Sequence, residues 1–121
     1  MAEYSASIRR QLAVLARRRS ARTLGWPRDW RPSEVANPEN GQPFTPAGAW
    51  VFIAQLLEED HEIPIEAITL DNPKGSTGYV MNVILGDRVL YIKLQLGAGT
   101  ILGRSFHYSI HEQNHEQQRK S

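Results

Sequence analysis

Six side chains in the stretch "YIKLQLGAGTILGRSFHYS", from Tyr91 to Ser109, have types that could do chemistry: Tyr91, Lys93, Gln95, Ser105, His107 and Ser109. All six sit at odd positions, separated by Ile92, Leu94, Phe106 and other apolar residues. On an extended strand, alternate residues share a face. That face would combine a phenol, an ammonium group, an imidazole and hydroxyls, with no carboxylate. Such a set suits an anion. Histidine is the side-chain type that changes charge near neutral pH, so it can act as acid or base. Two readings stay open at this point: a surface laid out for an anionic substrate, or the solvated side of an ordinary sheet.

The elements that must position these residues follow from turns and periodicity. From Gly78 the pattern has period two. Gly86-Asp87 is a two-residue hairpin signal with Gly first, as a type II′ turn requires. Arg88 to Leu96 reads as the next strand, Gly97 to Gly99 as a three-residue turn, and Thr100 to Ile110 as the last strand. The first turn pairs Leu85 with Arg88, hence Asn82 with Tyr91 and Tyr79 with Leu94. The second pairs Leu96 with Thr100, hence Tyr91 with Ser105 and Val89 with His107. Met81, Val83, Leu90, Ile92, Leu94, Leu96, Leu102 and Phe106 then form the core face. The opposite face collects Asn82 with the six residues above. Arg104 falls on the core side by parity. It must reach an edge, pair with an acid, or be redirected by a bulge at Gly103.

Upstream, residues 5–23 read as a helix. Ile8, Leu12 and Leu15 recur at helical spacing, and Arg9, Arg10, Arg17, Arg18, Arg19 and Arg22 crowd the rest. Pro, Gly and Asn forbid a regular element over 25–45, where Trp26 and Trp30 should anchor an irregular segment by burying their rings. Thr45 as N-cap and Pro46 at the first helical position begin a second helix over 46–59. Its acids Glu58 and Glu59 lie at the end where the helix dipole disfavours them. "IPIEAITLDNP" is a turn or short strand leading to a loop at Asn72-Pro73, and 112–121 is a polar tail. The expected architecture is α+β: N-terminal helices packed on one face of a small antiparallel β-meander spanning about 78–110. The whole chain, 1–121, reads as one domain, with 1–24 a basic helix and 46–110 the helix plus sheet.

The chain of 121 residues is 40% hydrophobic and 22% charged, ordinary for a globular domain. Without cysteine it has no disulfide or thiolate metal site. His61, His107, His111 and His115 have no tight ligand spacing, so no metal or cofactor is expected. No run of about 18 apolar residues suggests a membrane helix, and the N-terminus lacks the apolar stretch of a secretory signal. These features predict a cytoplasmic protein. Charge is uneven: +6 over residues 1–31, −8 over 32–73 and +3 over 74–121. A polar partner fits that pattern, either nucleic acid or an oppositely charged protein.

The strand pair "LYIKLQLG…ILGRSFH" resembles the C-terminal signature of toxins of the motility quorum-sensing regulator (MqsR) type. Those chains carry a Tyr-Φ-Lys-Φ strand, a short turn, and a strand closing on Ser-Phe and a basic residue. "DNPK", Asp71 to Lys74, is similar to the family's Asp-x-x-Lys element. The resemblance covers about residues 71–107. Arg104 stands where the family has an apolar residue. What the resemblance implies is a RelE-like fold and the toxin of a toxin–antitoxin pair. Such a toxin is a metal-independent endoribonuclease that cleaves mRNA. RNA and an antitoxin protein would be its partners. Lys74, Tyr91 and His107 would be catalytic, with Lys93, Arg104 and Ser105 holding substrate. The residues alone leave another class open: a non-catalytic binding module, either antitoxin- or immunity-like or nucleic-acid-binding through the Arg-rich helix.

Overall fold

Thr45 opens the most clearly capped helix of the chain. Its Oγ1 accepts the Gly48 N–H at 2.9 Å, and Pro46 occupies the first turn, where its missing donor costs nothing. This helix, α2, runs Pro46–Glu59, as the capping residues predict. It buries Ala49, Trp50, Ile53, Ala54, Leu56 and Leu57 along one broad face. The computed structural model describes residues 2–24, 29–60, 62–71 and 74–109. Trp26, His61, Asn72, Pro73, His111, His115 and the 112–121 tail lie outside the described residues.

The N-terminal helix, α1, is shorter than its composition suggests: Ala2–Arg17 rather than 5–23. Arg22 Nε donates to the Ala16 carbonyl at 2.8 Å, which satisfies a helix-terminal acceptor. A short 3₁₀ turn over Arg19–Ala21 follows, then strand β1, Arg22–Leu24. The remaining strands are β2 (Glu66–Asp71), β3 (Lys74–Leu85), β4 (Arg88–Leu96) and β5 (Ile101–Tyr108). They form one sheet in the order β1-β5-β4-β3-β2. The expected meander, β3 to β5, is antiparallel; β2 extends it antiparallel at one edge, and β1 joins the other edge parallel to β5, so the α+β fold has a mixed sheet.

Both helices and three residues of the irregular segment, Trp30, Val35 and Phe44, cover one face of the sheet. Leu12, Ile53, Leu90, Ile92, Leu94, Ile101 and Phe106 are fully buried there. Trp30 stacks near Trp50 and Phe106, with ring centroids at 5.0 and 5.5 Å. Phe44 meets Phe106 edge-on at 5.3 Å. The segment is therefore ordered by aromatic burial, not by periodicity.

The first hairpin has the expected register, with Leu85 opposite Arg88, and Gly86 supplies the positive φ of 66° that the turn requires. The second does not. Gly97 N–H bonds to the Thr100 carbonyl at 2.9 Å, and the loop closes one residue later, pairing Leu96 with Ile101. A bulge then sets Lys93 opposite Ser105 while Leu94 is opposite Gly103, leaving Arg104 as the extra residue. Each change shifts the register by one. Together they restore parity, so Phe106 faces the core and His107 the other side, as expected. The cross-strand partners nevertheless change: Tyr91 lies opposite His107, and Ile92 opposite Phe106. Between the turn and the bulge the faces are exchanged. Ile101 is in the core, whereas Leu102 pairs with Gln95 on the outer face.

Gly103 is where the Trp30 ring lies on β5. A Cβ there would stand 2.6 Å from Trp30 Cζ3. Gly103→Ala should therefore lower stability by about 1–3 kcal/mol through overpacking, and Phe106→Ala by about 3–5 kcal/mol through cavity formation. Both should appear as lower urea midpoints at an unchanged slope.

Candidate active site

The outer face of the sheet is not flat. It holds an open pocket of about 540 Å³ lined by Asp29, Arg31, Tyr91, Lys93, Ser105, His107 and Ser109. Tyr91 and Lys93 come from β4. Ser105 and His107 come from β5, each directly opposite its β4 neighbour. Directly opposed side chains on one face lie about 5 Å apart. Five of the six residues picked out by alternation therefore meet in one cavity, the fifth being Ser109, just past β5. Its N–H bonds to the Val89 carbonyl at 2.7 Å, which extends the pairing by one step.

Asp29 and Arg31 are the two residues that sequence reasoning missed. They flank Trp30, which pairs with Phe106 as an isolated parallel bridge, and the Arg31 N–H bonds to the Phe106 carbonyl at 3.0 Å. Trp30 turns inward, whereas Asp29, in 3₁₀ conformation, and Arg31 line the outer cavity. They form a wall beside β5. The charge–apolar–charge triplet Asp29-Trp30-Arg31 is the sequence signal, but it is too short to stand out as a strand. Asp29 also corrects the expectation of a carboxylate-free site.

Gln95 and Arg104 sit beyond the pocket lining. Arg104, redirected by the bulge, donates through Nη1 to Gln95 Oε1 at 2.8 Å and is only 9% exposed. It thus joins the outer face, as a bulge near Gly103 would have it. Lys74 is elsewhere. It opens β3 opposite Asp71 instead of lying in a loop. It precedes Asn82, the partner of Tyr91, by eight positions, a span of about 26 Å along a strand. The fold does not bring it to the pocket.

The imidazole is oriented by the main chain. His107 Nδ1 lies 2.9 Å from the Tyr108 carbonyl, which can only accept, so Nδ1 carries the hydrogen. In the neutral ring Nε2 is then the acceptor. The Tyr91 and His107 rings are 5.7 Å apart and inclined by 34°. Ser105, 2% exposed, forms the floor. Burial and, after it, the negative charges of Glu66 and Asp29 push the Tyr91 phenol above its ordinary value of 10.0. It remains a donor throughout the neutral range. The face thus forms a half-buried cavity rather than a flat, evenly solvated sheet surface. Among the described residues, no three His, Asp or Glu side chains group closely enough to hold a metal ion.

The basic helix is a weaker anion site than its six arginines suggest. Arg9 is buried and donates to the carbonyls of Asp60 and Ile63 beyond the end of α2. Arg17 holds the Glu58 carboxylate in a two-point contact at 2.8 and 2.9 Å. Arg22 caps α1. Arg10, Arg18 and Arg19 point to solvent.

The raised phenol gives a measurable outcome. In the unfolded chain Tyr91 should ionise near its ordinary value and in the folded chain only above it. Its contribution is fully present below that ordinary value and is lost as pH rises through the folded pKa. The ultraviolet difference between wild type and Tyr91→Phe should therefore titrate above pH 10.0. The urea midpoint of the wild type should fall more steeply with alkaline pH than that of Tyr91→Phe.

Comparison with protein-family models, curated proteins and solved structures finds no match for this chain, so the pocket is interpreted from its own geometry.

Proposed function

We propose that the pocket cleaves RNA without a metal and that the chain is the toxin of a toxin–antitoxin pair acting on mRNA. The observation that carries the reading is the convergence of an imidazole with an available Nε2, a protonated phenol and two cationic side chains in one half-buried cavity. Cleavage of an RNA chain needs a base for the 2′-hydroxyl, a donor near the departing oxygen, and positive charge on the phosphate. His107 Nε2 takes the 2′-hydroxyl proton. The 2′-oxygen then bonds to phosphorus as the bond from phosphorus to the 5′-oxygen breaks, leaving a 2′,3′-cyclic phosphate. Tyr91 gives its hydroxyl proton to the leaving 5′-oxygen, which departs as an alcohol, and the phenol and imidazole return to their starting states by exchanging protons with solvent. Lys93 and Arg31 offset the charge that builds on the phosphoryl oxygens, with Ser105 as a further donor at the floor. Arg104, which donates to Gln95, lies outside the cavity lining. Lys74 has no role in this mechanism.

The toxin assignment draws on the resemblance of the β4–β5 pair to MqsR-type toxins and on the agreement between that signature and the pocket's residues, Tyr91 and His107. A second reading, a non-catalytic module that binds a protein partner, is favoured by one feature. Val14, 49% exposed, opens onto a groove lined by Arg10, Leu15 and Leu96.

His107→Ala should lower RNA cleavage by about 10²–10⁴-fold, the usual worth of an acid–base group, while leaving the urea midpoint close to wild type. Growth arrest on induced expression should be lost in parallel. Wild-type protein, freed of any partner, that neither cleaves RNA nor slows growth would defeat the reading and leave the binding module.

A further inference from the structure

We infer that Asp29 makes the pocket selective for guanine, by accepting two hydrogen bonds from the Watson–Crick edge of a base stacked on Tyr91. The inference rests on the RNA-cleaving reading and adds the base that the site selects.

Asp29 is out of place in a site for phosphate alone. The rest of the lining is cationic, aromatic or hydroxylic, and a carboxylate repels a phosphodiester. It can only accept hydrogen bonds, so whatever part of a substrate it contacts must present donors. In RNA those donors are on the bases and the 2′-hydroxyls. Guanine alone offers two adjacent donors on its Watson–Crick edge, N1–H and the N2 amino group, which match the two oxygens of a carboxylate. Adenine places its single amino group beside the lone pair of N1. Cytosine places its amino group beside the lone pair of N3. Uracil flanks one N–H with two carbonyl oxygens. Each of these three would set an acceptor against the carboxylate.

The geometry supports that pairing. Asp29 is fixed from the main chain side, because the next residue is the inward-facing Trp30 and the one after is bonded to β5 through its N–H. It lies across β5 from Tyr91, and its charge is felt at the Tyr91 phenol. A base lying on the half-buried Tyr91 ring, as bases do on aromatic platforms, would extend its edge toward the Asp29 wall. Lys93 and Ser105, on the adjoining cross-strand pair, remain for the phosphate. A cavity of about 540 Å³ is in the range of small-molecule sites. Glu66 lies on the same face but outside the lining, two strands from β4.

The test is the binding of guanosine, inosine, adenosine and uridine 3′-monophosphates to the full chain, by calorimetry or by chemical-shift changes of the His107 ring. Wild type should prefer guanosine over adenosine by about 10- to 100-fold, the discrimination expected of a good bidentate contact. Inosine, which keeps N1–H and lacks the amino group, should fall between them. Asp29→Asn should bring guanosine down to the level of adenosine and leave uridine unchanged, with an unaltered urea midpoint as evidence of folding. Equal binding of the four nucleotides by wild type, or a guanine preference that survives in Asp29→Asn, overturns the inference and leaves RNA cleavage standing. Binding of none of them, together with no RNA cleavage, overturns both.

Discussion

The site depends on the way Trp30 lies against β5. Its ring covers Gly103, whose missing side chain is the space the indole occupies, and it meets Trp50 of α2 and Phe106 of β5. This contact fastens an otherwise irregular stretch to the edge of the sheet. It also decides where the neighbours of Trp30 go. With the indole committed to the core, the flanking Asp29 and Arg31 have only the outer face to occupy. Burial of one aromatic side chain, worth several kcal/mol when well packed, is thereby converted into the position of two charged groups on the opposite side. The same strand carries Phe106 inward and His107 outward, so core and site share their backbone.

The charge pattern of the chain has a partly architectural origin. The basic first segment and the acidic middle meet where α1 and the end of α2 come together. Glu58 sits at the helix end that disfavours anions, and Arg17 answers it directly. Arg9 and Arg22 satisfy carbonyl groups near the ends of the two helices. The exposed Arg17–Glu58 pair adds little stability by itself, but the buried Arg9 ties α1 to the connection between α2 and β2. Three of the six arginines that suggest a nucleic-acid-binding helix are therefore used within the fold. The cationic groups of the outer pocket come instead from β4, as Lys93, and from the irregular segment, as Arg31.

How much of this was legible in the sequence varies with the range of the interaction. Helix α2 and the β3–β4 hairpin are set by local chemistry, a Thr-Pro start and a Gly-Asp turn, and both were readable. The β4–β5 register was not, because a Gly-Ala-Gly turn allows more than one closure and a bulge leaves no mark in the pattern of types. Those two departures cancel in parity, which is why Ser105 and His107 could be assigned to the right face with the wrong partners. Strand β1 was hidden because Arg22-Thr23-Leu24 follows a helical run and is only three residues long; its ladder partner, β5, lies nearly eighty residues away. Asp29 and Arg31 were hidden for the same reason. Lys74 was misplaced because Asn72-Pro73 signals a loop without showing that the next strand begins at once.

Among the described residues, the His107 ring is oriented by the main chain rather than by a partner side chain at Nδ1. Many catalytic imidazoles are positioned by a carboxylate. Here the group that fixes Nδ1 is the carbonyl of the next residue. That carbonyl is held in turn by the strand: Tyr108 is opposite Leu90, and Ser109 bonds to Val89. The Tyr108 ring adds a second clamp, with its hydroxyl accepting from the Ala36 N–H at 3.1 Å and its face covered by the Arg88 guanidinium at 3.9 Å. The direction of Nε2 is thus set by the end of a well-paired strand and by the 36–44 part of the irregular segment, not by a side chain lining the cavity. The single carboxylate on the cavity wall, Asp29, is then not needed to orient the imidazole.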